Sequence, residues 1–223
     1  MSWKKINGTL TQLAVGRGNN VWGVDSRDNI YQFHHKEWHQ IEGNAFNVGV
    51  GSDGTVWIVN RDEEIFTRVN NTWEKVDGSL IQISVGDKNN VWGIDRYDNV
   101  FYRSDDDWVQ VPGSLINVSV ASDDTVWGVS RSRNVHRWNG VYWEEICGRL
   151  KQIYTGNASF VIGVNDDDEI FQFRNGTWFE WDGNLKCVAI SIDGILWGVD
   201  KDDEIYTRQD GGIGGPVFGS SFK

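Results

Sequence analysis

The stretch Val21-Trp22-Gly23-Val24-Asp25-Ser26-Arg27-Asp28-Asn29-Ile30-Tyr31 carries the key to the architecture. A short apolar run stops at a cluster of Asp, Ser, Arg and Asn, and an apolar run resumes at Ile30. Runs this short, bounded by turn residues, read as strands. The phrase returns as Val91 to Phe101 and as Leu196 to Tyr206, with variants beginning at Val56, Val126 and Val161. Around it, three series keep a step of 35 residues. The first is Trp3, Trp38, Trp73, Trp108, Trp143 and Trp178. The second is Trp22, Trp57, Trp92, Trp127 and Trp197, with Ile162 in the remaining place. The third is Gly8, Gly43, Gly78, Gly113, Gly148 and Gly183.

Each copy holds four apolar segments of about five residues, separated by Gly, Asn, Asp and Ser. A helical repeat of similar length is the rival, but turn signals every six to ten residues leave no room for two helices of about ten. Four-stranded units repeated radially predict an all-β fold, a six-bladed β-propeller of antiparallel blades forming a single domain. The repeats span about residues 3–208, and a tail, 209–223, departs from them. Trp3 to Ile6 reads as a fourth strand lacking its first three, and Leu185 to Arg208 as three strands lacking a fourth. The N-terminal strand is therefore expected to close the last blade.

The 223 residues carry a formal net charge of −11, with a pI near 4.7. That balance argues against nucleic acid and against an anionic membrane surface. No run approaches the about 18 apolar residues of a membrane span, and the start has no apolar core of a signal peptide, so a cytoplasmic location is expected. Cys147 and Cys187 fall at different repeat positions and read as reduced thiols. The sequons at Asn7, Asn70, Asn117, Asn157 and Asn175 read as by-products of the repeat.

The phrase Val21 to Tyr31, preceded by Gly8 to Gly16 (G-T-L-T-Q-L-A-V-G), resembles a tectonin repeat, six times over, closest to the fungal tectonins. That resemblance implies a β-propeller lectin of innate defence. It also implies a ligand class, glycans of bacteria or nematodes, notably O-methylated fucose or mannose.

Sugars need aromatic rings under their C–H faces and Asp, Asn or Arg for their hydroxyls. The candidate constellation is the second Trp series with the glycine and the Asp next along the chain. It comprises Trp22, Gly23 and Asp25; Trp92, Gly93 and Asp95; Trp127 and Gly128; and Trp197, Gly198 and Asp200. Glycine inside a strand permits close approach of a ligand. Arg68, Arg103 and Arg208 share one nearby repeat position, which holds Phe33, Trp138 and Phe173 in the other copies. A structural reading stands beside this one: the tryptophans fill blade interfaces, the glycines relieve crowding, and the Asp residues cap their own turns. Copy two carries Ile58 and Asn60, copy four Ser130 and Arg133, and copy five Ile162 and Asn165. If the Trp-Gly-x-Asp strand forms the pocket, blades one, three and six are expected to bind best.

His34, His35 and His39 cluster in one copy only, and the acidic runs at Asp105–Asp107 and Asp166–Glu169 lack calcium-loop spacing. No metal, cofactor or catalytic residue is expected, and no nucleophile, zinc or dinucleotide motif occurs. The expected function is multivalent, non-catalytic glycan binding, with a protein-interaction scaffold as the alternative and a glycosidase third. The expected partners are glycans, with a homo-oligomer left open.

Overall fold

The computed structural model describes residues 2–209, so the tail from 210 onward lies outside the described residues. Six four-stranded antiparallel sheets surround a central channel. Blade one runs from its inner strand outward as Gln12–Val15, Val21–Val24, Asn29–His34 and Glu37–Asn44. Blades two to five repeat this order. Blade six takes Cys187–Ile190, Leu196–Val199 and Glu204–Arg208 from the end of the chain and Lys4–Thr9 from its beginning. Lys4 pairs with Thr207 and Ile6 with Ile205, so the expected closure is present. No helix long and apolar enough to cross a membrane occurs among the described residues.

Burial explains the spelling of each strand. The second strand is covered on both faces by neighbouring blades, so Val21-Trp22-Gly23-Val24 is buried throughout and reads as a continuous apolar run. The outermost strand faces solvent and alternates. The apolar core is divided into six clusters, each spanning two adjacent blades. Interfaces between blades, more than blade interiors, therefore hold the ring together.

The first Trp series and the glycine series form one clasp. Gly43 sits at φ 114° in a β-bulge of the outermost strand, and the indole of Trp73 from the next blade lies against it. A Cβ at Gly43 would come within 3.0 Å of Trp73 Nε1, which donates instead to the Glu42 carbonyl at 2.7 Å. The same arrangement joins Trp108 to Asp77, Trp143 to Pro112, Trp178 to Cys147 and, closing the ring, Trp3 to Asp182. Trp38 packs on Gly8 in the sixth place.

Around the channel, Gln12, Gln82 and Gln152 each bridge to the next blade with two hydrogen bonds, to the backbone of Val48, Val118 and Val188. Asn47 and Asn117 accept from the Ile83 and Ile153 amides. Where blade six meets blade one, Cys187 takes this place, engaging the Leu13 backbone. Ala14, Gly49, Ser84, Ser119 and Ala189 share a repeat position with Tyr154. Tyr154 alone reaches across the channel, donating to the Val15 carbonyl and accepting from its amide. Both cysteines are free.

Candidate functional site

Strands alternate in direction, so each blade sends its turns to two different rims. Turns such as Gly16–Asn20 and His34–Lys36 lie on one rim. Turns such as Asp25–Asp28, together with the crossings to the next blade, lie on the other. Trp22 begins its strand near the first rim, and Asp25 comes just past the strand's end at the second. The candidate constellation is thereby divided.

Asp25 serves its own turn. Its Oδ1 accepts from the Arg27 and Asn29 amides, both at 2.9 Å, and its Oδ2 accepts from the Asn29 side chain and from Tyr31. Burial pushes this carboxyl up, but the hydrogen bonds outweigh it and hold the pKa below the ordinary value. Asp95 and Asp200 make the same turn. Asn60 and Asn165 do so equally well through an amide oxygen, which is why copies two and five tolerate Asn. The ranking of blades by Asp against Asn thus loses its physical basis.

The glycines are also turned to structure. A Cβ on Gly23 would lie 2.4 Å from Leu10 Cδ1 and 2.9 Å from the Gln12 carbonyl. Gly93, Gly128 and Gly198 meet Leu80, Leu115 and Leu185 in the same way. A leucine of the same blade, and no open ligand space, is what these positions accommodate.

The tryptophans and arginines remain on the other rim, and they meet across blades. Trp22 of blade one packs edge-on against Trp73 of blade two, and the Arg68 guanidinium lies 5.5 Å from the first ring and 5.1 Å from the second. The second-series tryptophans are only 1–7% exposed, so they floor the junctions and show the grooves little more than a ring edge. Above Trp22 a groove of about 380 Å³ opens between blades one and two, edged by Asn20, Gln32, Arg68, Asn70 and Asn71. Burial lowers the Arg68 pKa, and the group stays a cation.

Two further junctions carry grooves on this rim. One, of about 600 Å³ between blades three and four, is lined by Trp92, Tyr102, Trp138, Asp105 and Asp124. The other, of about 540 Å³ between blades six and one, is lined by Phe33, Trp197, Lys4, Lys5 and Lys36, with Arg208 at its margin. Arg103 lies over Trp108 at 5.4 Å, between blades two and three. Arg208 stacks on Trp181 at 4.5 Å and pairs with Asp182. Trp181 shares a repeat position with Ile41 and Val76, and it packs in the same cluster as Ile162. The tryptophan absent at 162 is thus made up from the outermost strand of the same blade.

Sequence reasoning missed Asn20, Asn70 and Asn71, which resemble ordinary turn residues, and Tyr102, Asp105 and Asp124 for the same reason. The usable signal was the repeat position of Arg68, which differs between copies. Among the described residues no group of three His, Cys, Asp or Glu is gathered as for a metal ion. The rings of His34 and His39 lie 6.2 Å apart on an exposed turn.

The tectonin domain matches this chain over residues 9–107 and 87–212. No curated protein matches it. The solved structure of YCF48 from Cyanidioschyzon merolae is similar at 13% identity and TM-score 0.61, covering 95% of this chain and 86% of that one. YCF48 bound to D1 peptide is similar at 13% and 0.59, covering 95% and 82%. The WD40 β-propeller domain of Doa1 is similar at 12% and 0.61, covering 92% and 93%. At such identities these structures share the fold alone.

Proposed function

The chain belongs to the tectonin family, and we propose that it is a multivalent, non-catalytic lectin whose sugar sites are the grooves between blades. The observation that carries this reading is the groove between blades one and two. A guanidinium and four side-chain amides edge a small cleft floored by aromatic carbon. Forked donors and paired amides match adjacent sugar hydroxyls, and the apolar floor matches a pyranose C–H face or an O-methyl group. Burying one methyl contributes about 0.8 kcal/mol, roughly a fourfold preference, so discrimination at a single groove is modest. Several grooves on one rim raise avidity on a dense glycan surface. The ligands proposed are O-methylated fucose or mannose on bacteria or nematodes, with a role in innate defence.

The scaffold reading is less well supported. Among the described residues, the exposed large apolar side chains are scattered: Tyr97 sits on the rim of the acidic turns, Val109 on an outermost strand, and Val141 and Tyr142 on the groove rim. A glycan array pairing methylated with unmethylated sugars tests the lectin reading, followed by titration of Arg68→Ala. Methylated ligands should bind better, and the variant should lose binding at its groove while keeping its melting temperature. A chain that binds no glycan on the array would fit the scaffold instead.

A further inference from the structure

The six junctions share one design on the groove rim, and its variations point to a ligand of a different kind. Each junction gathers an aromatic cluster, and in four of them the protein lays its own guanidinium on it. Arg68 covers Trp22 and Trp73 between blades one and two. Arg103 covers Trp108 between blades two and three. Arg137 lies 6.0 Å over Trp127 between blades four and five. Arg208 covers Trp181 between blades five and six. A cation over an indole face is attracted by the ring quadrupole, and these contacts mark the clusters as cation seats.

Between blades three and four the seat has no cation of its own. The position of Arg68 holds Trp138, and the position of Arg137 holds Tyr102. Trp92 lies 5.6 Å from Tyr102, 6.0 Å from Trp138 and 6.1 Å from Trp143, so four aromatic rings converge. Among the described residues no arginine or lysine lies over these rings. The groove they face is the most spacious of the three, and the carboxylates of Asp105 and Asp124 stand at its lip. Asp124 accepts one hydrogen bond, from Asn90, and Asp105 has no partner among the described residues. Two cations share the lining, Lys88 and Arg103; Arg103 is turned to Trp108 and lies 3.7 Å from Asp106, which leaves one lysine against the two carboxylates of Asp105 and Asp124.

We infer that the groove between blades three and four binds an organic cation, an ammonium or trimethylammonium group, over the partly exposed rings of Tyr102 and Trp138, with Trp92 packed beneath them and Asp105 and Asp124 as counter-charges. The groove between blades six and one is the internal control. It too lacks a guanidinium over its tryptophan, but Lys4, Lys5 and Lys36 line it and repel a cation. A cation seat here does not depend on whether the other grooves hold sugars. The same chemistry serves a choline-bearing group and the free amine of a hexosamine.

The test titrates the full chain with choline chloride and with glucosamine hydrochloride, tracking tryptophan fluorescence and heat. 3,3-Dimethylbutan-1-ol, which replaces the ammonium by carbon, and N-acetylglucosamine are the neutral counterparts. One cation is expected to saturate a single site per chain, at least roughly tenfold more tightly than its neutral counterpart. Choline binding alone identifies a trimethylammonium ligand, and glucosamine binding alone an amino sugar. Trp138→Arg, which copies the blade-two arrangement, should abolish the response. Asp105→Asn, at an exposed turn position whose left-handed φ of 51° Asn also accepts, should weaken it severalfold and flatten its salt dependence. Neutral counterparts that bind as well, binding untouched by both variants, or no saturable binding of either cation would each overturn the inference. Glycan binding at the Arg68 groove should be unchanged throughout, which separates this test from that of the lectin.

Discussion

Trp22 and Asp25 stand three residues apart in one phrase and serve opposite rims. On the Asp25 rim five copies supply the same service, a side-chain oxygen of Asp or Asn that accepts from its own turn, and in blade four the Ser130 hydroxyl bridges the turn the other way, donating to the Asn134 carbonyl. On the Trp22 rim the copies diverge, with Arg68, Arg103 and Arg208 in three blades and Phe33, Trp138 and Phe173 in the others. Agreement between copies thus marks residues that build the ring. On the proposed lectin reading, divergence marks residues free to select a ligand. Substitutions on the two rims should therefore separate, one set lowering stability and the other lowering binding.

The heaviest loss should come from what both rims depend on. Removing residues 1–7 takes away most of the closing strand and the Trp3–Gly183 clasp. A fall in Tm of roughly 10 °C or more, or loss of cooperative unfolding, is expected by calorimetry; an unchanged melt would remove closure as the basis of the fold. Gly23→Val comes next. Its side chain would collide with Leu10 and the Gln12 carbonyl, destabilising by about 2–3 kcal/mol with ligand affinity intact in the folded fraction. A variant that melts normally and binds no sugar would move Gly23 to the ligand side and undo the division between rims.

A smaller change probes the turn itself. Asp25→Ala leaves two turn amides without an acceptor and should cost about 1–2 kcal/mol, whereas Asp25→Asn keeps the oxygen that Asn60 and Asn165 use. The folded Asp25 carboxyl titrates below its ordinary value, so its stabilising contribution is complete above that value and is lost as pH falls through the depressed one. Chemical denaturation from about pH 5 to pH 3 should show a shallower decline for Asp25→Asn than for the parent chain. An identical decline would mean that the turn hydrogen bonds do not depend on the charge.

The periodicity of Trp and Gly made the blades, their number and their closure legible, because each blade must repeat the contacts of the last. The groove was only half legible. Trp22, Arg68 and Arg103 stand out in the sequence, but grouping Trp22 with Gly23 and Asp25 keeps to the chain, whereas a junction pairs residues from successive blades. The partner of Trp22 is Arg68, one repeat and one hairpin further on. Nothing within a single copy encodes that offset, which is set by how neighbouring sheets pack. Trp181 eluded the repeat for a related reason: it answers the small Ile162 from another strand, and only packing shows the exchange.

The mildest effect belongs to the one reversal on the structural rim. Asp28 pairs with Arg61 of the next blade, Glu63 with Arg96 and Asp98 with Arg131, acid first and base second each time. Between blades four and five the order is inverted, with Arg133 at the acid's position and Asp166 at the base's, 3.0 Å apart. Arg133 holds φ 71° there, a left-handed conformation that suits Asp better than Arg. Arg133→Asp alone sets two carboxylates together, and Asp166→Arg alone sets two guanidinia together, so each single variant should lose stability. The double variant restores the polarity of the other junctions and should recover it. Asp166 is exposed and Arg133 half-buried, so solvent still screens the pair, and the coupling from the double-mutant cycle should be about 0.5–1 kcal/mol and should shrink with salt. Ligand binding should be the same in all four proteins, because this belt lies on the rim away from the grooves. A coupling of zero would leave the inversion without energetic meaning, and a change in ligand affinity would show that the two rims are not independent.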